Sequence, residues 1–160
     1  MGIHNKAVVA FSLFVGLLIV PAAIAQHEHV LLNEQDVKWE EAPPMIPPGA
    51  KAAILQGNPS EKGLFTIRLR LPANYKVPAH WHPNDEHVVV ISGALYMGMG
   101  DKLDENAGKA VKAGGFALVP AQKNHYAYTK EMTTIQVYGM GPVEFTYVNP
   151  SDDPRRAGKK

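Results

Sequence analysis

Apolar and polar residues alternate most clearly over residues 64–71. Phe65, Ile67, Leu69 and Leu71 fall on one side of an extended segment, and Thr66, Arg68 and Arg70 fall on the other. A period of two is that of a half-buried strand. Its apolar side is expected to line a core, with Arg68 and Arg70 facing solvent or a second subunit. Short apolar runs recur over 52–55, 88–91, 95–99, 116–119, 133–138 and 143–148, separated by Gly, Pro and Asn. These punctuators mark turns. The pattern predicts an all-β chain of roughly eight to ten strands, the count of a small antiparallel β-barrel or jelly roll. Before it, Pro43-Pro44-Met45-Ile46-Pro47-Pro48-Gly49 excludes a helix, because its four prolines remove donors and fix φ. Residues 26–50 therefore read as an N-terminal arm, with Trp39 and Ile46 able to pack on the barrel or on a second copy. Residues 51–149 form the barrel domain. Residues 150–160 lack apolar content and are expected to be a disordered tail.

The first 25 residues have a different pattern. A short start with Lys6 leads into an apolar run from Ala7 to Val20, then Pro21 and the small-residue exit Ala23-Ile24-Ala25. This is the form of a secretory signal peptide cleaved before Gln26. It implies an exported protein, periplasmic or extracellular, with no stable membrane insertion after cleavage. Lys6 is the only Lys, Arg, Asp or Glu removed, so fifteen basic groups balance fifteen acidic ones in the mature chain. That balance argues against nucleic acid or an anionic membrane surface as partner. The chain has no cysteine, so any metal is held by nitrogen and oxygen.

Chemistry concentrates in Ala79-His80-Trp81-His82-Pro83-Asn84-Asp85-Glu86-His87, which runs into Val88-Val89-Val90-Ile91-Ser92-Gly93. His80 and His82 share one face of a strand. Pro83-Asn84-Asp85 reads as a bend. Glu86 leaves the bend on the parity of the two histidines, while His87 takes the other face. Two imidazoles and a carboxylate that converge suit a divalent transition metal and leave positions open for water or substrate. A second stretch, from Gly114 through Pro120 to His125, is a strand, a turn and a histidine that joins the set if the two strands are neighbours.

These two stretches resemble the cupin family. The first cupin motif, G-x5-H-x-H-x3/4-E-x6-G, is matched by His80, His82, Glu86 and Gly93, with Asn74 in place of its first glycine. The second, G-x5-P-x-G-x2-H-x3-N, is matched by Gly114, Pro120 and His125, with Gln122 and Thr129 replacing its second glycine and its asparagine. The resemblance implies a cupin-type barrel holding one divalent metal on His80, His82, Glu86 and His125. Manganese, iron, nickel, copper and zinc all accept that donor set. It also implies a small-molecule ligand or substrate and a homodimer. Two functions fit. One is a metal-dependent enzyme of dioxygenase, lyase or isomerase type, and the other is a non-catalytic metal- or ligand-binding and sensing module. An exchangeable water on the metal favours the first, and a closed four-ligand ion the second. No catalytic base stands out, since Tyr126 and Tyr128 alternate away from His125. Met97 and Met99 share a face that can line a cavity. Residues 101–112 read as a polar surface loop or brief helix, and Asp101, Asp104 and Glu105 lack the spacing of a calcium loop.

Overall fold

Residues 29–156 are described in a computed structural model of the protein. The strands in chain order are β1 (Glu40–Glu41), β2 (Lys51–Gln56), β3 (Gly63–Leu71), β4 (Lys76–Trp81), β5 (Glu86–Ser92), β6 (Ala94–Met99), β7 (Lys109–Lys112), β8 (Phe116–Val119), β9 (His125–Thr129), β10 (Thr133–Gly141) and β11 (Thr146–Tyr147). They form two antiparallel sheets. One has the order β1-β2-β3-β10-β5-β8, and the other β11-β4-β9-β6-β7. The count exceeds the expected eight to ten because β1 and β11 are two-residue pairings on sheet edges. Among the described residues, every helical piece is a three-residue 3-10 turn.

The alternation of β3 is realised in space. Phe65 and Leu71 join Val77, Val88, Val90, Leu95, Ile135 and Val137 in one buried cluster between the sheets. Burial of each large apolar side chain contributes roughly 1.5–3 kcal/mol. On the outer face, Arg68 donates from Nε to Gln136 at 3.3 Å, and the Arg70 guanidinium lies over the Trp39 ring at 4.2 Å. Trp39 thus docks the N-terminal arm on the barrel, and Ile46 sinks into the core. The five-stranded sheet is covered on both sides. Ala79, Tyr126 and Tyr128 form a second cluster with Tyr96, Leu103 and Val148. That is why every residue of β9 is buried.

Two segments differ from the sequence reading. Residues 101–112 do not form a simple loop or helix, because their last four residues are β7, paired with β6. Their acidic groups already have partners. Asp101 accepts from Asn124 Nδ2, Asp104 accepts from the Asn106 amide, and Glu105 pairs with Lys76. The expected disordered tail is ordered through Arg156, in turns at Pro150–Asp152 and Pro154–Arg156. Polar anchoring replaces apolar burial there. Arg155 forks onto the Asp153 carboxylate, with Nε to Oδ1 at 2.7 Å and Nη2 to Oδ2 at 2.9 Å. Its Nη2 also donates to the Phe145 carbonyl at 2.9 Å. Residues 157–160 lie outside the described residues. So do 1–28, with the expected signal peptide of 1–25 and the start of the arm.

Candidate metal centre

Strand pairing builds the centre. β4 runs antiparallel to β9, which sets His80 opposite His125, and a bulge between Val77 and His80 adjusts the register. His82 follows one residue beyond β4, and Glu86 opens β5. The bend between them is tied down from outside, because Asp85 Oδ1 accepts the Ala121 amide at 2.7 Å and the His82 carbonyl accepts the Gln122 amide at 2.8 Å. The motif departures lie at the turns. Asn74 and Gln122 both adopt the left-handed conformation, at φ 60° and 61°, where glycine is the unstrained residue. Their replacement of glycine changes the residue but keeps the turn. Thr129 ties β9 to the turn before β4. Its hydroxyl donates to the Pro72 carbonyl at 2.6 Å and accepts the Tyr75 amide at 3.0 Å.

The three imidazoles share one arrangement. Nδ1 of His80 lies 2.7 Å from the Pro78 carbonyl, Nδ1 of His82 lies 2.7 Å from the Glu144 carbonyl, and Nδ1 of His125 lies 3.0 Å from the Lys123 carbonyl. A carbonyl only accepts, so each Nδ1 carries the proton and donates. Each Nε2 is then left with a free lone pair. One ligand atom from each ring lies within 4.8 Å of the others, and buried His82 Nε2 has no hydrogen-bond partner. Glu86 completes the set. Its carboxylate oxygens lie 3.8 Å from His82 Nε2 and 3.4 Å from His125 Nε2. Lone pairs converging on a carboxylate repel one another unless a cation lies between them, so this donor set fits a divalent ion.

The electrostatics agree. Burial, reinforced by His125 and His82, pushes His80 down to about 3. Burial also lowers His82, against the pull of Glu86. Both rings are therefore neutral at pH 7, the form that binds metal. Burial opposes ionisation of Glu86, but a hydrogen bond from His125 and the charge of His82, His125 and His80 bring the carboxyl down to about 2 when the rings are protonated. With the rings neutral, a bound cation would take over that role.

The structure brings His80, His82, Glu86 and His125 to one place and keeps the neighbouring candidates away. His87 points to the opposite face of β5 and stacks on Tyr138, with centroids 4.9 Å apart and ring planes 11° apart. Tyr126 and Tyr128 lie in the outer cluster. Met97 borders a small cavity of about 50 Å³ below the imidazoles, whereas Met99 is exposed.

Sequence reasoning missed the segment that roofs the site. The apolar run over 143–148 suggested a strand, but only Thr146–Tyr147 pair. Residues 142–145 are an irregular strap. The Phe145 ring stacks on His80 at 4.6 Å and meets His82 edge-on at 4.4 Å. The backbone of Glu144 orients His82. The Val143 amide donates to the Pro59 carbonyl at 2.7 Å, and Arg155 holds the Phe145 carbonyl. No local pattern announces these long-range contacts. Beside the strap, a cavity of about 430 Å³ reaches His82 and Glu86, between walls that include Ile46, Phe65, Ile67 and Leu69.

Two facing antiparallel sheets with three histidines and a glutamate at the barrel's inner end define a cupin. The chain belongs to the family described as a domain of unknown function, DUF4437, whose model matches residues 20–145. No curated protein matches the sequence. Solved structures of the same fold include the polyketide cyclase RemF from Streptomyces resistomycificus. It is 18% identical with a TM-score of 0.65, over 81% of this chain and 92% of that one. A candidate acetylacetone dioxygenase from Methylibium petroleiphilum is 20% identical with a TM-score of 0.61, over 81% and 88%. An RmlC-like cupin from Shewanella frigidimarina is 17% identical with a TM-score of 0.55, over 72% and 92%.

Proposed function

We propose that this protein is a divalent-metal cupin that acts as an enzyme on a small molecule, with His80, His82, Glu86 and His125 as the metal ligands. One observation carries the reading. Three Nδ1–H groups are committed to backbone carbonyls, so three Nε2 lone pairs are left free within one cluster, and those of His82 and His125 face the Glu86 carboxylate. A bound divalent ion supplies Lewis acidity to a coordinated oxygen. The chain supplies the rest. Carbonyls hold the rings in one tautomer, Phe145 shields His80 and His82 from water, and the cavity admits a ligand beside Glu86. Similar structures include a polyketide cyclase and a candidate dioxygenase, which is in keeping with an enzyme but does not choose the reaction.

The metal is tested by elemental analysis of protein taken from its native compartment, which is expected to show a divalent transition ion in stoichiometric amount. Protein without such an ion, and unable to take one up, rejects the reading. The alternative is a non-catalytic binding module. Among the described residues, the lining of the larger cavity offers carboxylates as candidate general bases, but no tyrosine and no histidine besides His82. Water-proton relaxation of manganese-loaded protein separates the two. An exchangeable metal-bound water supports the enzyme, and a closed ion supports the module.

The proposal includes export and self-association. Export predicts an intact mass starting at Gln26, and retention of residues 1–25 in a membrane fraction rejects it. Self-association has a surface to use, because the six-stranded sheet exposes Ile91, Phe116 and Leu118. Sedimentation is expected to show a dimer, and a monomer at micromolar concentration rules it out.

A further inference from the structure

The cavity beside Glu86 restricts what can approach the proposed metal centre. Its inner walls are hydrocarbon, from Phe65, Ile67 and Leu69 of β3, Val137 of β10 and Phe145 of the strap. Its charged lining is one-sided. Among the described residues, Lys38 is the only Lys or Arg in it, against Glu40, Glu41, Asp85, Glu86 and Glu144. Glu41 is offset by its ion pair with Lys51, and Asp85 is occupied by the Ala121 amide. The side chains of Glu40 and Glu144 are exposed and have no partner among the described residues. The nearest guanidinium groups in the sequence, Arg68 and Arg70, are engaged on the outer face with Gln136 and Trp39.

An organic anion entering this cavity exchanges its hydration for hydrocarbon and gains no cationic side chain on the inner walls. It also meets the carboxylates of Glu40 and Glu144 at the mouth, whose exposed side chains add a weak, solvent-screened repulsion. A divalent ion with Glu86 as its one anionic ligand keeps a net positive charge and favours an anion at the metal itself, so the discrimination must come from the hydrocarbon walls and the mouth. An uncharged apolar molecule meets none of these penalties, and a cavity of about 430 Å³ is within the ordinary range for small-molecule sites, roughly 300–1,000 Å³.

Resting on the metal-centre reading above, we infer that the substrate class is an uncharged, largely apolar molecule that presents an oxygen donor to the centre, and that organic anions of the same skeleton are excluded. The exclusion comes from the cavity, and the oxygen donor serves the metal.

Isothermal titration of zinc-loaded protein at pH 7 with 2-naphthol and with 2-naphthoate tests this. Both share one ring system, and only the second is an anion at that pH. Naphthol is expected to bind at least about tenfold more tightly. Glu40→Lys, an exposed change at the mouth, is expected to narrow the ratio by strengthening naphthoate binding. Naphthoate binding as tight as naphthol, no binding of either at millimolar concentration, or a ratio unmoved by Glu40→Lys overturns the inference. Zinc content measured on the same samples keeps the two readings apart. Naphthol selectivity in protein that holds no zinc leaves the cavity inference standing and removes the metal centre.

Discussion

The two faces of β5 carry adjacent titratable residues with opposite fates. On the inner face, Glu86 meets His82 and His125, in a group of rings each fixed by a carbonyl at Nδ1. On the outer face, His87 lies flat on Tyr138, with Phe116 at 6.1 Å, and none of its nitrogens has a hydrogen bond among the described residues. Sequence places the two residues side by side, yet only one environment can hold an ion. A histidine becomes a ligand candidate when a second partner fixes its tautomer and its remaining lone pair converges with others. Packing against aromatic rings provides neither.

The largest effect that tests this contrast is the loss of an inner imidazole. His80→Ala or His125→Ala removes a donor from a preformed set. Metal affinity is expected to fall by more than the roughly 10–100-fold typical of changes around the ligands. Equilibrium dialysis against a competing chelator measures it, and near-normal affinity in either variant would break the contrast at its inner side.

Acid distinguishes the faces next. His80 and His82 have depressed proton affinity in the folded chain, so below the ordinary imidazole value of about 6.5 the unfolded chain binds more protons than the folded one. Stability of the metal-free protein is then complete above that value and falls as pH drops, by up to about 1.4 kcal/mol per pH unit for each such histidine. Glu86, also depressed, adds a loss below its unfolded value of 4.5 as pH falls toward 2. Urea unfolding from pH 7.5 to 4 is expected to show the decline. A flat profile across that window would mean that the inner rings take up protons as freely as exposed ones.

Support from a distance comes third in size. Arg155 grips the Phe145 carbonyl, and the neighbouring Glu144 carbonyl orients His82. Arg155→Ala is expected to loosen this strap, lower metal affinity by about tenfold and shift the visible spectrum of cobalt-loaded protein. Arg156, 67% exposed and 3.9 Å from Asp153, provides the control, and Arg156→Ala should change neither. Identical spectra for both variants would detach the C-terminal turns from the site.

Those turns also mark where the sequence stopped being informative. The strand pattern of β3 was legible because one face is buried and the other solvated, which writes a period of two into the residues. His80, His82, Glu86 and His125 were legible because each falls within one of two short sequence motifs, although the structure sets them on β4, just beyond it, on β5 and on β9. Phe145, Glu144 and Arg155 act through contacts with residues far away in the chain, and two of those contacts use only backbone carbonyls, which leave no side-chain signature. Composition misled for 150–156, where an arginine–carboxylate fork orders a segment with little apolar content. The glycine replacements Asn74 and Gln122 were visible as departures, but that both keep the left-handed turn could be learned only from the backbone.

The smallest expected effect is the most discriminating. His87→Ala removes an imidazole next to Glu86 in sequence, so a site shifted by one residue would lose its fourth ligand. In the structure, His87 pairs with Leu118 and Tyr138 and faces away from the barrel. Metal affinity should therefore stay within about twofold of the parent, with only the stacking on Tyr138 lost, a contribution on the order of 1 kcal/mol. Glu86→Ala, by contrast, deletes the sole carboxylate in contact with His82 and His125 among the described residues. It leaves a set of three neutral rings that no longer offsets the charge of an ion, so metal should be weakened severely or its selectivity changed. Circular dichroism establishes that both variants fold, and metal titration ranks them. The reverse ranking, with an emptied site in His87→Ala and a full one in Glu86→Ala, would turn β5 over and exchange the chemistry of its two faces.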